Sequence, residues 1–155
     1  MWTKKPRLDE LQELAKHSLC AFLGIEYCSV DEGSLSAKMA ITQRTQQPFG
    51  DLHGGASAAL AESVSSMAAY FCVDQERYRP VGLHLEIHHL QGAQTGVVFA
   101  TASPIRLGKS IQVWQVDITQ ENIKIAFSTV TIKVLKKGRR GSPAVKVPNR
   151  EQKRL

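Results

Sequence analysis

From Leu8 to His17, apolar residues recur at helical spacing as Leu8, Leu11, Leu14 and Ala15, and Asp9 and Glu10 occupy the first turn, where the helix dipole favours acids. A short amphipathic helix is expected there. Between Gly33 and Ile41 the period drops to two, with Leu35, Ala37, Met39 and Ile41 alternating with Ser34, Ser36 and Lys38, as in a half-buried strand. A polar loop follows from Thr42 to Asp51 and contains Pro48 and Gly50. Gly55 to Val73 is the longest helical candidate, and it is small or apolar on nearly every face. Such a helix is expected to be buried, and its Ala and Ser residues let other backbones approach closely.

After this helix the chain keeps to β-type patterning. Val81 to Leu90, Gly96 to Ile105, Ser110 to Thr119 and Ile123 to Leu135 are rich in β-branched or aromatic residues and are separated by Gly92, Gly108 and Glu121-Asn122. With Gly33 to Ile41 this gives five strands. One long helix followed by four strands with no helix between them predicts an α+β arrangement, an antiparallel sheet packed on one central helix.

The chain has 155 residues, the size of one domain able to bury a core without disulfides or a structural metal. Its net charge of +6 is unevenly placed: residues 136–155 carry eight basic side chains against one acidic, which leaves twelve basic and thirteen acidic residues in the body. The basic balance is therefore a property of the tail and says little about what the folded part binds. Residues 1–135 are expected to form the domain. Residues 136–155, with two prolines and no apolar periodicity, are expected to form a basic disordered tail. A nucleic-acid binder is disfavoured because the body is near neutral and lacks aromatic-basic interleaving.

Cys20, Cys28 and Cys72 are odd in number and include no CxxC pair, so reduced thiols are expected rather than disulfides or a zinc site. No stretch suits a signal peptide or is long and apolar enough to span a bilayer, so a cytoplasmic location without membrane partners is expected.

Glu62 is the only charged side chain between His53 and Asp74, and it lies midway along the expected buried helix. An unpaired buried carboxylate costs several kcal/mol, so Glu62 is a catalytic candidate. Otherwise it faces a wet gap or pairs with a distant arginine. Eight residues upstream, His53-Gly54-Gly55 opens the same helix. Backbone N–H groups at a helix start can polarise a carbonyl and hold an oxyanion, although two glycines can also simply make a tight turn.

Eight helical residues rise about 12 Å, while a glutamate side chain reaches back only a few ångströms. If Glu62 and Gly54 act on one substrate, they must come from two chains whose helices run antiparallel across a twofold axis. Gln47 can offer an amide donor, and Ser66, at i+4 from Glu62, can orient a carboxylate or a water.

His84, His88 and His89 cluster on one strand, but alternation puts only two of them on one face, so no metal site is expected. The turn Arg106-Leu107-Gly108-Lys109-Ser110 gathers two cations and backbone donors suited to phosphates.

The run Arg44 to Glu62, with Leu23-Gly24-Ile25, Val81-Gly82 and Leu107 to Gln115, resembles the hotdog-fold thioesterases related to 1,4-dihydroxy-2-naphthoyl-CoA hydrolase and the Arthrobacter-type 4-hydroxybenzoyl-CoA thioesterase. That resemblance covers about residues 2–135. It implies a sheet wrapped round the central helix, with Glu62 as the carboxylate that attacks the thioester or activates water. Gly54 would supply the polarising N–H, Gln47 and His53 would orient thioester and leaving group, and Ser66 would place the water. His89 would lie on the pantetheine side, with Arg106, Gly108, Lys109 and Ser110 toward the coenzyme.

The resemblance further implies an acyl- or aroyl-CoA substrate, with coenzyme A as part of the substrate and no separate cofactor. It implies homodimers with shared active sites, paired into tetramers. The sequence departs from the family pattern at Gln91-Gly92, where an arginine is usual, and at Lys109, where the usual Gly-Arg becomes Gly-Lys. Competing readings are a non-catalytic acyl-CoA-binding module and a thioesterase acting on acyl groups held by a carrier protein.

Overall fold

A computed structural model describes residues 1–138. Two helices, α1 (Leu8–Ala15) and α2 (Leu19–Leu23), precede strands β1 (Ile25–Val30) and β2 (Leu35–Ala40). The long helix α3 (Gly54–Phe71) follows, and then β3 (Tyr78–His89), β4 (Val97–Leu107), β5 (Ile111–Gln120) and β6 (Ile123–Lys136). The six strands form one antiparallel sheet in the order β1-β2-β4-β5-β6-β3. This is the α+β hotdog arrangement, with the sheet wrapped on α3.

The core lies between α3 and the concave face of the sheet. Leu60, Val64, Ala68 and Phe71 of α3 are fully buried against Met39, Ala100, Trp114, Val116 and Val130 of the sheet. Small residues at Ala37, Ala100, Ala102 and Ala126 let the helix come close, while Trp114 fills the widest part of the layer. The Trp114 indole N–H is satisfied by Gln112 Oε1 at 3.1 Å, so neither polar group is left unpaired inside.

Six strands are present where patterning predicts five. In the missed strand β1, Ile25 and Tyr27 are buried as alternation requires, but the register against β2 slips between Tyr27 and Ser29. That bulge shifts the phase of Cys28-Ser29-Val30 and hides the period. Helix α2 is a single turn, too short to show a 3.6-residue pattern. It is fixed at its start by the Ser18 side chain, which accepts from the Cys20 N–H, and at its end by Gly24 in the left-handed region at φ 69°.

The expectation that α3 is buried all round needs correction. One face is enclosed by the sheet, whereas Ala59, Glu62, Ser63, Ser66, Met67 and Tyr70, on the part of the helix that reaches the sheet only at its β3 edge, are half-buried. A single chain has one sheet and can cover one side of a helix. The last strand extends to Lys136, one residue into the expected tail, and residues 139–155 of that tail lie outside the described residues.

Candidate active site

The loop Thr42 to His53 delivers the chain to the start of α3 and is pinned at several points. Thr45 Oγ1 donates to Ala40 O at 3.0 Å, and the His53 N–H donates to Thr45 O at 2.8 Å. The Leu52 N–H donates to Ala93 O at 2.7 Å, which ties the loop to the segment after β3.

His53 is the N-cap of α3: its Nδ1 accepts from the Gly55 N–H at 2.8 Å. The cap engages Gly55 and leaves Gly54, the first helical residue, with an N–H that meets no acceptor among the described residues. The His89 ring lies over this point, its Nε2 3.0 Å from where a Cβ on Gly54 would stand. A cleft of about 330 Å³ opens here, lined in part by Leu52, Gly54, His89, Gln91, Ile125 and Ala126. A helix start with a free N–H, an imidazole above it and apolar walls can hold the oxygen of a polarised carbonyl.

Gln47 lies in the same loop but is turned inward. Its Nε2 donates to Asp51 Oδ2 at 3.4 Å, and its Oε1 accepts from the Phe49 N–H. Asp51, which sequence reasoning passed over as a loop residue, thus holds Gln47 and packs against Gly92, whose missing Cβ would stand 3.1 Å from Asp51 Oδ1.

Glu62 lies two turns along α3, on the half-buried face. Ser66 Oγ donates to its Oε1 at 2.9 Å, and no Lys, Arg or His pairs with the carboxylate among the described residues. Among the described residues the alternative of a distant arginine partner finds no candidate. A second groove of about 450 Å³ starts at Ser66 and runs past Ser63, Met67 and Tyr70 toward Leu14 and Tyr27, with largely apolar walls. The Tyr27 hydroxyl donates to Ser63 O at 3.3 Å, and burial, with the nearby Cys20, pushes that phenol above the ordinary tyrosine range.

Arg106 lies in the last residues of β4, paired with Val113, rather than in the expected turn, while Lys109 and Ser110 are in the β4–β5 turn; all three are exposed. Gly108 and Lys109 border a groove shared with Cys72 and Val73, at the C-terminal end of α3. The helix has 18 residues, so this turn and Gly54 lie at opposite ends of a rod about 27 Å long. Within one chain the structure gathers His53, Gly54, Gln47 and His89 at one end of α3, Glu62 and Ser66 in its middle, and the cationic turn at the other. Among the described residues no group of three His, Cys, Asp or Glu side chains is placed to hold a metal, and no helix is long and apolar enough to cross a membrane.

A sheet wrapped on one long helix is the hotdog fold, and the chain shares it with thioester hydrolases. The chain belongs to the thioesterase superfamily, whose family model matches residues 49–127. It is 44% identical over 124 residues to an esterase of Pseudomonas aeruginosa, covering 80% of this chain and 86% of that one. It is 37% identical over 129 residues to the 1,4-dihydroxy-2-naphthoyl-CoA hydrolase of Escherichia coli, covering 83% and 94%. The crystal structure of a thioesterase from Haemophilus influenzae superposes with a TM-score of 0.86 at 41% identity, covering 91% of this chain and 99% of that one.

Proposed function

We propose that this protein hydrolyses an aroyl-CoA thioester to the free acid and coenzyme A, with 1,4-dihydroxy-2-naphthoyl-CoA as the leading candidate substrate. The observation that carries the reading is the Glu62 carboxylate, held by Ser66 on the open face of α3 beside an apolar groove that starts at the same serine. A flat aromatic acyl group suits walls of Met67, Tyr70, Tyr27 and Leu14. The E. coli relative named for that substrate supports the same choice.

The active unit is a dimer. Glu62 and the free Gly54 N–H are eight residues apart on one helix, about 12 Å, which exceeds the reach of one glutamate. Strand β3 ends the sheet, so one of its edges has no partner among the described residues, and Leu83 on it is 60% exposed. Pairing two β3 edges about a twofold axis would continue the sheet and bring two α3 helices antiparallel, with each Glu62 facing the Gly54 of the other copy. Tetramers would follow from pairing of such dimers.

In that dimer the Gly54 N–H binds the thioester oxygen, and Glu62 acts in one of two ways. As a base it takes a proton from water while the water oxygen bonds to the carbonyl carbon and the C=O pair moves onto oxygen. Collapse of this intermediate reforms C=O, breaks the C–S bond and releases the thiolate, which recovers the proton from Glu62. As a nucleophile Glu62 forms a mixed anhydride and expels the thiolate, and water then cleaves the anhydride. His53, Gln47 and His89 orient the thioester, and Arg106, Gly108, Lys109 and Ser110 face coenzyme phosphates.

The test is steady-state release of free thiol from a panel of aroyl- and fatty acyl-CoAs by wild type, Glu62→Ala and Glu62→Asp. Turnover that is greatest on bicyclic aroyl-CoA and collapses in both variants is expected. Wild-type rates in Glu62→Ala would end the proposed role of the carboxylate.

A further inference from the structure

Gly82 of β3 lies directly against the Glu62 carboxylate. A Cβ at Gly82 would stand 3.1 Å from the carboxyl carbon and 3.5 Å from Oε2, and it would overlap Oε1 outright. The α hydrogen in that place therefore points at Oε1, a contact of the weak C–H···O kind. The same oxygen accepts from Ser66 at 2.9 Å, so Oε1 is held from two sides. Oε2 receives no side-chain donor among the described residues.

The backbone does not require glycine at this position. Among the described residues the glycines with positive φ are Gly24, Gly50 and Gly96, and Gly82 is not one of them. Strand propensity alone disfavours glycine there. The register of β3 against β6 slips between Gly82 and His84, and such a bulge re-aims a strand locally. What the site gains from glycine is space, and that space is filled by the carboxylate.

We propose that Gly82 is a positioning residue for thioester hydrolysis: its missing side chain seats Oε1 of Glu62 against Ser66 and leaves Oε2 as the oxygen that acts on water or on the thioester. The inference rests on the proposed role of Glu62. It assigns the two carboxylate oxygens separate tasks, one structural and one chemical. A methyl group at position 82 pushes Oε1 off its seat, breaks the Ser66 bond and turns Oε2 out of line, while the N–H that holds the carbonyl stays in place.

The test combines two double-mutant cycles. In the kinetic cycle, Gly82→Ala and Ser66→Ala each lower kcat about tenfold with KM within about twofold, and the double variant falls no further than Gly82→Ala, because the serine bond is already lost. In the thermal cycle, Gly82→Ala lowers the melting temperature of the wild type but not of Glu62→Ala, where no carboxylate meets the methyl group. This second cycle holds even if Gly82→Ala alone folds poorly, since the Gly82→Ala, Glu62→Ala pair should then fold. A kcat within twofold of wild type for Gly82→Ala, losses that multiply to about a hundredfold in the double variant, or equal melting penalties in both backgrounds would overturn the inference. If Glu62→Ala alone keeps wild-type turnover, the reading of Glu62 fails first, a result distinct from normal kinetics in Gly82→Ala with a dead Glu62→Ala.

Discussion

The Ser66 hydroxyl donates to Glu62 Oε1 at 2.9 Å from one turn further along the same helix. A hydrogen bond to a charged acceptor contributes about 1.5–3 kcal/mol, and it fixes a side chain that otherwise has three free torsions. Ser66→Ala is expected to lower kcat about tenfold while KM changes little, because the hydroxyl acts through the carboxylate and its loss leaves the apolar walls of the groove in place. Single-turnover rates on the preferred CoA thioester check this. A change in KM alone would place Ser66 in substrate binding instead.

His53 has a structural task that can be separated from any chemical one. Its Nδ1 caps α3 through the Gly55 N–H at 2.8 Å, and losing such a cap costs about 1 kcal/mol. His53→Ala should therefore unfold earlier in denaturant, whereas His53→Asn, with a side chain well suited to an N-cap, should keep near wild-type stability. If thiol release falls equally in both variants, the imidazole itself serves the reaction.

Inside the sheet, Gln112 is 2% exposed and supplies the only side-chain acceptor for the Trp114 indole among the described residues. Gln112→Ala leaves a buried N–H unpaired and a cavity beside the largest core side chain. A loss of about 2–4 kcal/mol in equilibrium urea unfolding is expected. Gln112→Glu should also destabilise at neutral pH, since it buries a charge.

Burial pushes the Cys72 thiol up to about 11 from 9.0, and it raises the Tyr27 phenol above the ordinary tyrosine range. Both groups keep their protons in the folded state at pH values where the unfolded chain loses them. Their contribution to stability is therefore complete below the unfolded values and declines as pH rises through the folded ones. For Cys72 the decline falls between about pH 9 and pH 11. Thermal melts across that range should show a falling midpoint, and Cys72→Ser, which cannot ionise there, should flatten the slope.

Much of the architecture was legible in the sequence. Strand β5 alternates buried Gln112, Trp114, Val116 and Ile118 with more open neighbours, a pattern that period-two reading finds directly. Helix α3 was legible as a long Ala-rich segment, and its start and end were placed within a residue or two. Strand β1 was not found, because its bulge at Cys28 breaks the alternation that would reveal it. The open face of α3 was hidden for another reason. Small side chains look the same whether they meet a sheet, a second helix or a substrate, so composition says that something approaches and not what.

At the candidate site, Glu62 stood out as a lone charge in an apolar helix, and Ser66 followed from its i+4 spacing. Gly82 stood only in the Val81-Gly82 match with no role attached, since its use depends on a strand 20 residues away in sequence crossing the helix at Glu62. Asp51 was equally silent, because a carboxylate in a polar loop is ordinary until its contact with Gln47 is seen.

In the proposed dimer each active site takes its carboxylate from one chain and its carbonyl-binding N–H from the other. Gly54→Pro removes that N–H at the first helical position, where the φ of proline fits a helix and His53, at φ −66° and ψ 127°, already has the conformation a residue before proline needs; its ring also crowds His89, so the site built on that Gly54 is lost. Gly54→Pro and Glu62→Ala should each be inactive alone. Mixed and allowed to exchange subunits, they should recover about a quarter of wild-type thiol release, because half of the dimers are mixed and each mixed dimer holds one intact site of two. No recovery, with subunit exchange verified, would contradict a site shared between chains.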